Sequence, residues 1–363
     1  MTLADAKAAL FADAFALQSE GRPEEAVAIY QELAKTRLTV NLARNLGTAL
    51  HDLGRYADAE RWMSLAARNR AGDAEIRNLL GVIQAARGEV NLAELEFRTA
   101  LALQPDFPAV RLALADLFLS VGRYQEAWPL LETRIALRPD VVPPGPTGFP
   151  EWRGEPLAGK SIMVWYEQGF GDQIQMCRFA TDLKKRGSSR VTLCCRPPLT
   201  VLLAGVEGVD AVVPVAQGAT VSVERHDYWS RYFSLPGHLG VTLETLPGKP
   251  YLRAPEGRRE QWRGAAGVGL CWRSSATGFN AGNKNLTPDD AKRLLDLGMT
   301  SLHPEDTGAK DFADTAAIIE RLDLVVTIDT SVAHLAGAMG VRCWTMLPFM
   351  RTDWRWLRQR SDS

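Results

Sequence analysis

The residues best suited to chemistry form one run near the end of the chain. They are Asp329, Thr330, Ser331 and His334. An apolar, β-branched run from Leu324 to Asp329 precedes the hydroxyls and is typical of a buried parallel strand. The following residues, up to Gly340, predict a short helix. Because free N–H groups and the positive end of the helix dipole point the same way at a helix N-terminus, this junction predicts a phosphate site.

The same run also has a purely structural interpretation. Asp329, Thr330 and Ser331 are residue types that cap helices without any ligand. His334 lies one turn further on, and a single helical histidine is commonly packed or solvated. The residues alone leave both interpretations open.

A second candidate, Asp172, follows a predicted strand at residues 161–166. Gly169 and Gly171 precede it, and they allow the backbone to turn tightly and to approach a substrate acceptor. Ile174 stands where a dinucleotide fingerprint has its third glycine, which argues against an NAD site. At a helix start, the Asp172 carboxylate could take a proton from an acceptor hydroxyl, or it could simply cap the helix.

Two further candidates follow strands in the second half of the chain. Lys284 lies in the polar loop 276–285 and could hold a diphosphate across from Asp329. Glu305 follows a short predicted strand near Ser301, where a carboxylate could accept hydrogen bonds from ribose hydroxyls. A solvated loop lysine and an ordinary turn residue are the alternative interpretations.

The elements that must position these residues alternate between strand and helix. Such alternation predicts parallel sheets, and two Rossmann-like lobes in tandem bind ligands between the carboxyl ends of their strands. We expect an N-terminal lobe at 161–255 on the acceptor side and a C-terminal lobe at 256–363 on the donor side. The predicted strands are 161–166, 190–195, 211–215, 268–272, a short one near 301, 324–329 and 343–347. The predicted helices include 197–205, 256–263, 289–297 and 311–321.

The region 1–140 is repetitive. Glycines recur at spacings of 33, 34 and 34 residues, at Gly21, Gly54, Gly88 and Gly122. Together with Leu-Gly or Leu-Ala pairs at a constant offset, this pattern resembles the tetratricopeptide repeat, with four repeats. The first helix of each repeat lines a concave groove, which could hold an extended peptide or could be a solvated face. The expected groove residues are Arg44, Asn45, Thr48, Asn78 and Asp116.

Composition narrows the class of protein. The net charge of −1 gives no sign of a nucleic-acid partner. The five cysteines include no C-x-x-C pair, so a reduced, cytoplasmic protein without a zinc site is expected. Neither a signal peptide nor a membrane span is predicted. The proline-rich stretch within 141–160 predicts a linker.

Several motifs together resemble those of the heptosyltransferase-like glycosyltransferases, in particular a bacterial branch that carries tetratricopeptide repeats. The motifs are 167–172, 234–247, 311–316, 329–334 and 348–356. The resemblance implies a GT-B fold, no metal or other cofactor, and a nucleotide sugar as donor substrate. It also implies that Asp172 is the general base and that Lys284, Asp329, Thr330, Ser331 and His334 contact the donor, with Glu305 as a looser match. Family members continue with a further segment that helps to close the second lobe.

Three functions follow from these observations. The first is a glycosyltransferase that modifies a protein selected by the repeat groove, and flagellin is one acceptor that the resemblance suggests. The second is an enzyme that adds a heptose-like sugar to a lipopolysaccharide core. The third is a non-catalytic repeat scaffold with a degenerate transferase domain.

Overall fold

The computed structural model describes residues 3–36, 38–216, 218–219, 222–246, 248–275 and 280–357. Part of the predicted polar loop, residues 276–279, lies outside this set, as do Pro247 of one motif and the tail 358–363. The chain divides into two compact units, Met1–Val121 and Gly122–Ser363. The second unit therefore begins inside the fourth predicted repeat.

The repeat region consists of helices joined by short turns. In each repeat the turn contains the recurring glycine, whose φ lies between 70° and 82°, a left-handed conformation that favours glycine over residues with a side chain. A Cβ atom on Gly81 would lie 2.7 Å from the Phe97 ring, so glycine lets the two helices of the third repeat pack closely. The helices are α1 (Leu3–Ser19), α2 (Pro23–Thr36), α3 (Val40–Asp52), α4 (Tyr56–Asn69), α5 (Ala74–Ala86), α6 (Val90–Leu103), α7 (Pro108–Ser120) and α8 (Tyr124–Leu131).

The second unit continues from α8 and α9 (Arg134–Leu137) into a first parallel sheet. Its four strands have the order β3-β2-β1-β4 and all pair in parallel. Buried apolar residues dominate β1 and β2, as expected for strands that are covered on both faces. The elements are β1 (Ser161–Trp165), α10 (Phe170–Met176), α11 (Ala180–Lys185), β2 (Arg190–Cys195), α12 (Thr200–Leu203), β3 (Ala211–Pro214), β4 (Tyr228–Arg231) and α13 (Leu235–Leu239).

A second four-stranded parallel sheet follows, with the order β6-β5-β7-β8. The bounds of its elements are α14 (Glu256–Gln261), β5 (Val268–Cys271), α15 (Ala281–Lys284), α16 (Pro288–Asp296), β6 (Thr300–Ser301), α17 (Pro304–Thr307), α18 (Phe312–Ile319), β7 (Leu324–Ile328), α19 (Ser331–Met339) and β8 (Cys343–Met346).

The strand order reverses once in each sheet. In the first sheet this switch point lies between β1 and β4, and in the second it lies between β5 and β7. Connections leave the two switch strands in opposite directions there, so a crevice opens at their carboxyl ends, where open α/β sheets bind ligands. Asp172 follows β1, and the run that starts at Asp329 follows β7.

Two predictions about the elements need correction. The first sheet contains a strand, β4, where no strand was predicted, because its four residues, Tyr228–Arg231, are too few to show a pattern. The helix predicted at 197–205 is instead a 3-10 turn, Pro197–Leu199, followed by the four-residue α12. The two prolines at its start, Pro197 and Pro198, disfavour a regular α-helical turn there. Across the part of the chain that the structure describes, no helix is long and apolar enough to cross a membrane.

Candidate functional site

Two helices that leave the switch points meet at their N-terminal turns. α10 and α19 pack directly on each other. A Cβ atom on Gly171 would lie 2.5 Å from His334 Cδ2 and 3.3 Å from Ser331 Cα. Glycine at position 171 therefore allows an approach that any side chain would obstruct. This contact brings Asp172 to the same place as the Thr330–His334 turn.

The N-terminus of α19 is formed as the sequence predicts. Thr330 has extended backbone angles, and its Oγ1 accepts a hydrogen bond from the Val332 N–H at 3.3 Å. The helix ends at Gly340, which adopts a left-handed conformation with φ of 70°. The strand β7 ends at Ile328, immediately before Asp329, and Asp329 lies in the turn that leads to the cap residue Thr330.

Asp172 is the third residue of α10 and its side chain is 18% exposed. Its Oδ2 accepts a hydrogen bond from the Gly169 N–H at 2.7 Å, so it caps its own helix. Its Oδ1 accepts a hydrogen bond from Arg355 Nη2 at 2.5 Å. Burial raises the pKa of Asp172, whereas Arg355 and the Gly169 N–H act to lower it.

His334 lies in the first turns of α19 and stacks on the Trp356 indole. The ring centroids are 5.2 Å apart and the planes are tilted by 16°. Burial, with a further contribution from the positive charge of Arg355, lowers the pKa of His334 to about 3. The imidazole is therefore neutral near pH 7, with one ring nitrogen as a donor and the other as an acceptor.

Asp329 and Lys284 belong to the same electrostatic cluster. Burial raises the pKa of Asp329, and the Asp353 carboxylate raises it further. Trp356, Lys284 and Arg355 oppose this rise. Lys284 ends the short helix α15 after β5, and its positive charge acts on Asp329 to lower that residue's pKa.

The segment 352–356, which we call the crossing segment, belongs to the motif 348–356, but sequence reasoning assigned no role to its individual residues. Arg355 in this segment reaches Asp172 near the first sheet, while Trp356 stacks on His334 near the second. Trp354 packs edge-on against Tyr124 and Trp128 of α8, with centroids 6.3 Å apart in both pairs. The alternating acidic, aromatic and basic residues of the crossing segment were visible in the sequence. The contacts were not, because 183 residues separate Arg355 from Asp172.

Glu305 lies apart from the cluster. It belongs to α17 and forms an ion pair with Arg273, and both side chains are about half exposed. Within the described ranges, no hydrogen bond or ion pair joins Glu305 to residues 329–334. An exposed pair of this kind contributes little to stability and leaves the carboxylate accessible.

A buried ion pair supports the loop that carries Gly169 and Asp172. Arg134 Nε and Nη2 donate to Glu167 Oε2 and Oε1 at 3.0 and 2.9 Å, and both side chains are almost fully buried. Glu167 Oε1 also accepts from the Phe233 N–H at 2.7 Å. The two sides of the first switch point, after β1 and after β4, are thereby held together. Next to this pair, Gln168 adopts a left-handed backbone with φ of 61°, a strain typical of functional loops.

The predicted groove residues differ in their surroundings. Arg44 forms an ion pair with Glu75 at 3.0 Å, and Thr48 donates a hydrogen bond to the Arg44 carbonyl. Asn45 was expected to line the groove, but that prediction is wrong. Its side chain is buried and donates to Tyr30 Oη at 3.4 Å, because α2, which carries Tyr30, packs against α3.

The other two groove residues lie on later repeats. Asn78, on α5, is partly buried, and its Oδ1 has no hydrogen-bond partner in the described part of the protein. Asp116, on α7, is exposed. An unpaired buried carbonyl oxygen and an exposed carboxylate are both able to meet a polar ligand.

No metal centre is formed by the residues that the structure describes, since none of them form groups of three His, Cys, Asp or Glu able to hold an ion. Four of the five cysteines are buried as free thiols. Burial raises the pKa of Cys177 and of Cys194 to about 12 and that of Cys195 to about 11, which makes these thiols poor nucleophiles.

Comparisons with known proteins support the repeat region most directly. A tetratricopeptide-repeat model matches residues 11–74 and 78–140. Protein FlbA of Caulobacter vibrioides is 23% identical over 384 aligned positions, which include 82% of this chain and 64% of that protein. The chain therefore spans just under two thirds of the length of this curated relative.

Among solved structures, the chain is similar to MamA from Desulfovibrio magneticus RS-1, with 17% identity, a TM-score of 0.33, and coverage of 36% of this chain and 73% of that one. It is also similar to YrrB, described as a tetratricopeptide-repeat protein with an unusual peptide-binding site. That match has 19% identity, a TM-score of 0.34, and coverage of 38% and 72%. The match to the repeat model and the strand pairing show that the protein has an N-terminal helical solenoid of tetratricopeptide repeats, followed by a region of two parallel sheets.

Proposed function

We propose that this protein is a glycosyltransferase that moves a sugar from a nucleotide-activated donor to a hydroxyl of a protein bound by its repeats. The observation that carries the proposal is the meeting of α10 and α19 at the switch points of two parallel sheets. A carboxylate from one sheet and a hydroxyl-rich helix N-terminus from the other are thereby placed together. Two lobes of this kind are the arrangement that the resemblance to GT-B enzymes implies.

The donor would bind at the N-terminus of α19. Departure of a nucleotide leaves negative charge on its phosphate, and the N–H groups of the first turn together with the Lys284 ammonium are suited to stabilise it. The neutral His334 imidazole would add an uncharged hydrogen-bond donor for the phosphate. Thr330 and Ser331 would add hydroxyl groups to this nucleotide-sugar site.

The acceptor hydroxyl would lose its proton to Asp172. An acid with a pKa above the usual range for aspartate holds a proton more readily during the reaction than an ordinary surface carboxylate does. The reaction would break the bond between the anomeric carbon and the phosphate oxygen and form one to the acceptor oxygen, whose proton passes to Asp172. The nucleoside phosphate leaves with the electron pair of the broken bond.

We further propose that the repeat groove selects the acceptor as an extended protein segment. The helices that line the groove in such arrays are the first of each repeat, and here they carry Arg44, Thr48, Asn78 and Asp116. Side chains of this kind can hydrogen-bond the backbone of a peptide that runs along the array. A charge-reversal variant, Arg44→Glu, is expected to weaken capture of the acceptor and leave donor binding unchanged.

Thermal unfolding in the presence of ADP, CMP, GDP or UDP tests the donor site. A ligand present at about one hundred times its Kd stabilises the native state by about 2.7 kcal/mol. We expect one nucleotide to raise the Tm of the wild type, and we expect Lys284→Ala and His334→Ala to reduce that rise strongly.

The matched control is Lys292→Ala. Lys292 is an exposed lysine of α16 whose Nζ pairs with Asp296 at 2.7 Å. This variant should keep the full nucleotide-dependent rise. If none of the four nucleotides changes the Tm of the wild type, the donor site does not exist and the transferase proposal fails.

A second candidate function, a non-catalytic repeat scaffold, is favoured by the hydrogen bonds of Asp172. Both carboxylate oxygens already have partners within the chain, Gly169 and Arg355. A cap and an ion pair explain this residue without any substrate. The scaffold would bind its protein partner through the repeat groove equally well with Asp172→Asn, whereas modification of the partner would require Asp172.

A further inference from the structure

Arg355 is a largely buried cation at hydrogen-bond distance from the candidate base, Asp172. Its side chain is 10% exposed, and its guanidinium donates to three acceptors. Nη2 donates to Asp172 Oδ1 at 2.5 Å, Nε donates to Gln175 Oε1 at 2.8 Å, and Nη1 donates to Asp353 Oδ2 at 2.6 Å. Two of these acceptors belong to α10, so the guanidinium bridges the crossing segment to the helix that carries the candidate base.

The guanidinium is also held in place by aromatic rings. It lies 5.1 Å from the centroid of Phe233, which follows β4, and 4.8 Å from that of Trp354. The planar group is therefore fixed from both its edges and its faces, which reduces the entropy lost when it binds a carboxylate. A lysine in this position could supply the charge but not the fork of donors.

The charged and titratable groups around Asp172 come from several elements. Glu167 acts from the loop after β1, where the Gly169 backbone N–H also donates to Asp172, and Arg355 and Asp353 act from the crossing segment. The cluster that Arg355 joins also contains Asp329 after β7 and His334 in α19. Because several of these neighbours are acidic, an ionised Asp172 depends on a close cation.

Burial by itself favours the protonated form of Asp172, and a protonated carboxylic acid cannot accept a proton from an acceptor hydroxyl. The Arg355 guanidinium opposes that effect at hydrogen-bond distance. The same hydrogen bond fixes the direction of one carboxylate oxygen, while the Gly169 N–H fixes the other.

We propose that Arg355 is a positioning residue that keeps the side chain at position 172 ionised and holds it in one orientation where α10 contacts α19. The use of that carboxylate as a base rests on the function proposed above. The electrostatic role of Arg355 can be measured without any substrate.

The test introduces a thiol in place of the carboxylate, as Asp172→Cys, and measures its alkylation by iodoacetamide from pH 6 to pH 10. Only the thiolate reacts, so the profile reports how well position 172 holds a negative charge. The parent chain with Asp172 supplies the background from the native cysteines. The rate is compared in chains that keep Arg355, carry Arg355→Lys, or carry Arg355→Met.

We expect the thiol to react about tenfold faster near pH 7 with Arg355 present than with Arg355→Met. Loss of an opposite charge at hydrogen-bond distance raises the pKa of an acid by about one unit, which lowers the thiolate fraction about tenfold. Arg355→Lys should restore a large part of the rate, which guards against an effect of misfolding. The control is Arg178→Met, which removes another buried arginine, one whose guanidinium donates to Tyr251 Oη at 3.0 Å. It should leave the rate unchanged.

Equal alkylation rates with Arg355 and with Arg355→Met would overturn the proposal, whether or not a nucleotide binds. The same holds if Arg178→Met lowers the rate as much as Arg355→Met does. A tenfold difference together with no nucleotide binding would refute the transferase function and uphold the electrostatic role of Arg355. The two failures are thereby distinguished.

Discussion

The buried ion pair beneath the Asp172 loop provides the sharpest stability prediction. Glu167→Gln keeps the shape of the side chain but removes its charge, so the Arg134 guanidinium loses its fully buried carboxylate partner and keeps the partly exposed Glu132 as an anionic partner. The native carboxylate accepts two hydrogen bonds from Arg134 and one from the Phe233 N–H. Charge-assisted bonds are worth about 1.5–3 kcal/mol each, and breaking one partner of a buried pair costs about 3–5 kcal/mol.

We therefore expect Glu167→Gln to lower the free energy of unfolding of the second unit by about 3 kcal/mol. The double variant with Arg134→Met should lose less than the sum of the two single variants, because the buried guanidinium that lost its buried partner is then gone as well. Glu132→Gln is the matched control. Glu132 accepts from the same guanidinium at 2.7 Å, but its side chain is 37% exposed, so its loss should cost less than about 1 kcal/mol.

Urea unfolding followed by tryptophan fluorescence is the appropriate assay. Every tryptophan except Trp62 lies in residues 122–363, so the signal reports mainly the second unit. The midpoint and the slope are compared among the wild type, the two single variants, the double variant and the control. A loss below about 1 kcal/mol for Glu167→Gln would refute the reasoning, as would strict additivity in the double variant.

Further predictions concern the meeting of α10 and α19. Gly171→Ala should lower the Tm by an amount equivalent to about 1–3 kcal/mol, because its Cβ would overlap His334. Gly169→Ala should change the Tm much less, because its Cβ would meet only Asp172 Oδ2, at 3.1 Å. Equal effects of the two variants would contradict the close approach of α10 to α19. His334 has a folded-state pKa lowered to about 3. The unfolded state therefore binds the extra proton below about pH 6.5, and stability falls as the pH is lowered. Because His334 keeps some exposed surface, we expect it to contribute a loss of about 1–2 kcal/mol between pH 7 and pH 5. His334→Gln should remove this contribution and leave that of His238 and His303, whose pKa values burial also lowers. An unchanged pH profile in that variant would contradict the assignment.

The sequence predicted those parts of the structure that depend on local pattern. The strand and helix around Asp329 and the turns at the recurring glycines need only neighbours along the chain, so their residue types were sufficient. The spacing of Leu-Gly pairs likewise reports the packing of helices within a repeat.

Long-range contacts were not predictable in the same way. Arg355 meets Asp172 only because the chain returns from the second sheet to the first, and no periodicity records that return. The burial of Asn45 depends on how closely α2 lies over α3, which a pattern of polar residues does not reveal. The fourth strand of the first sheet is stabilised by pairing with β1 rather than by its own short sequence.

The most direct test of the central claim is turnover of a nucleotide sugar. The sugar nucleotide that corresponds to the stabilising nucleotide is incubated with the wild type and with Asp172→Asn, and release of the nucleoside phosphate is followed with and without a protein acceptor. We predict release by the wild type and a loss of 10²-fold or more in Asp172→Asn, on the order of a general-base contribution, with unchanged nucleotide binding. Equal release by both chains, or none by the wild type, would contradict the account.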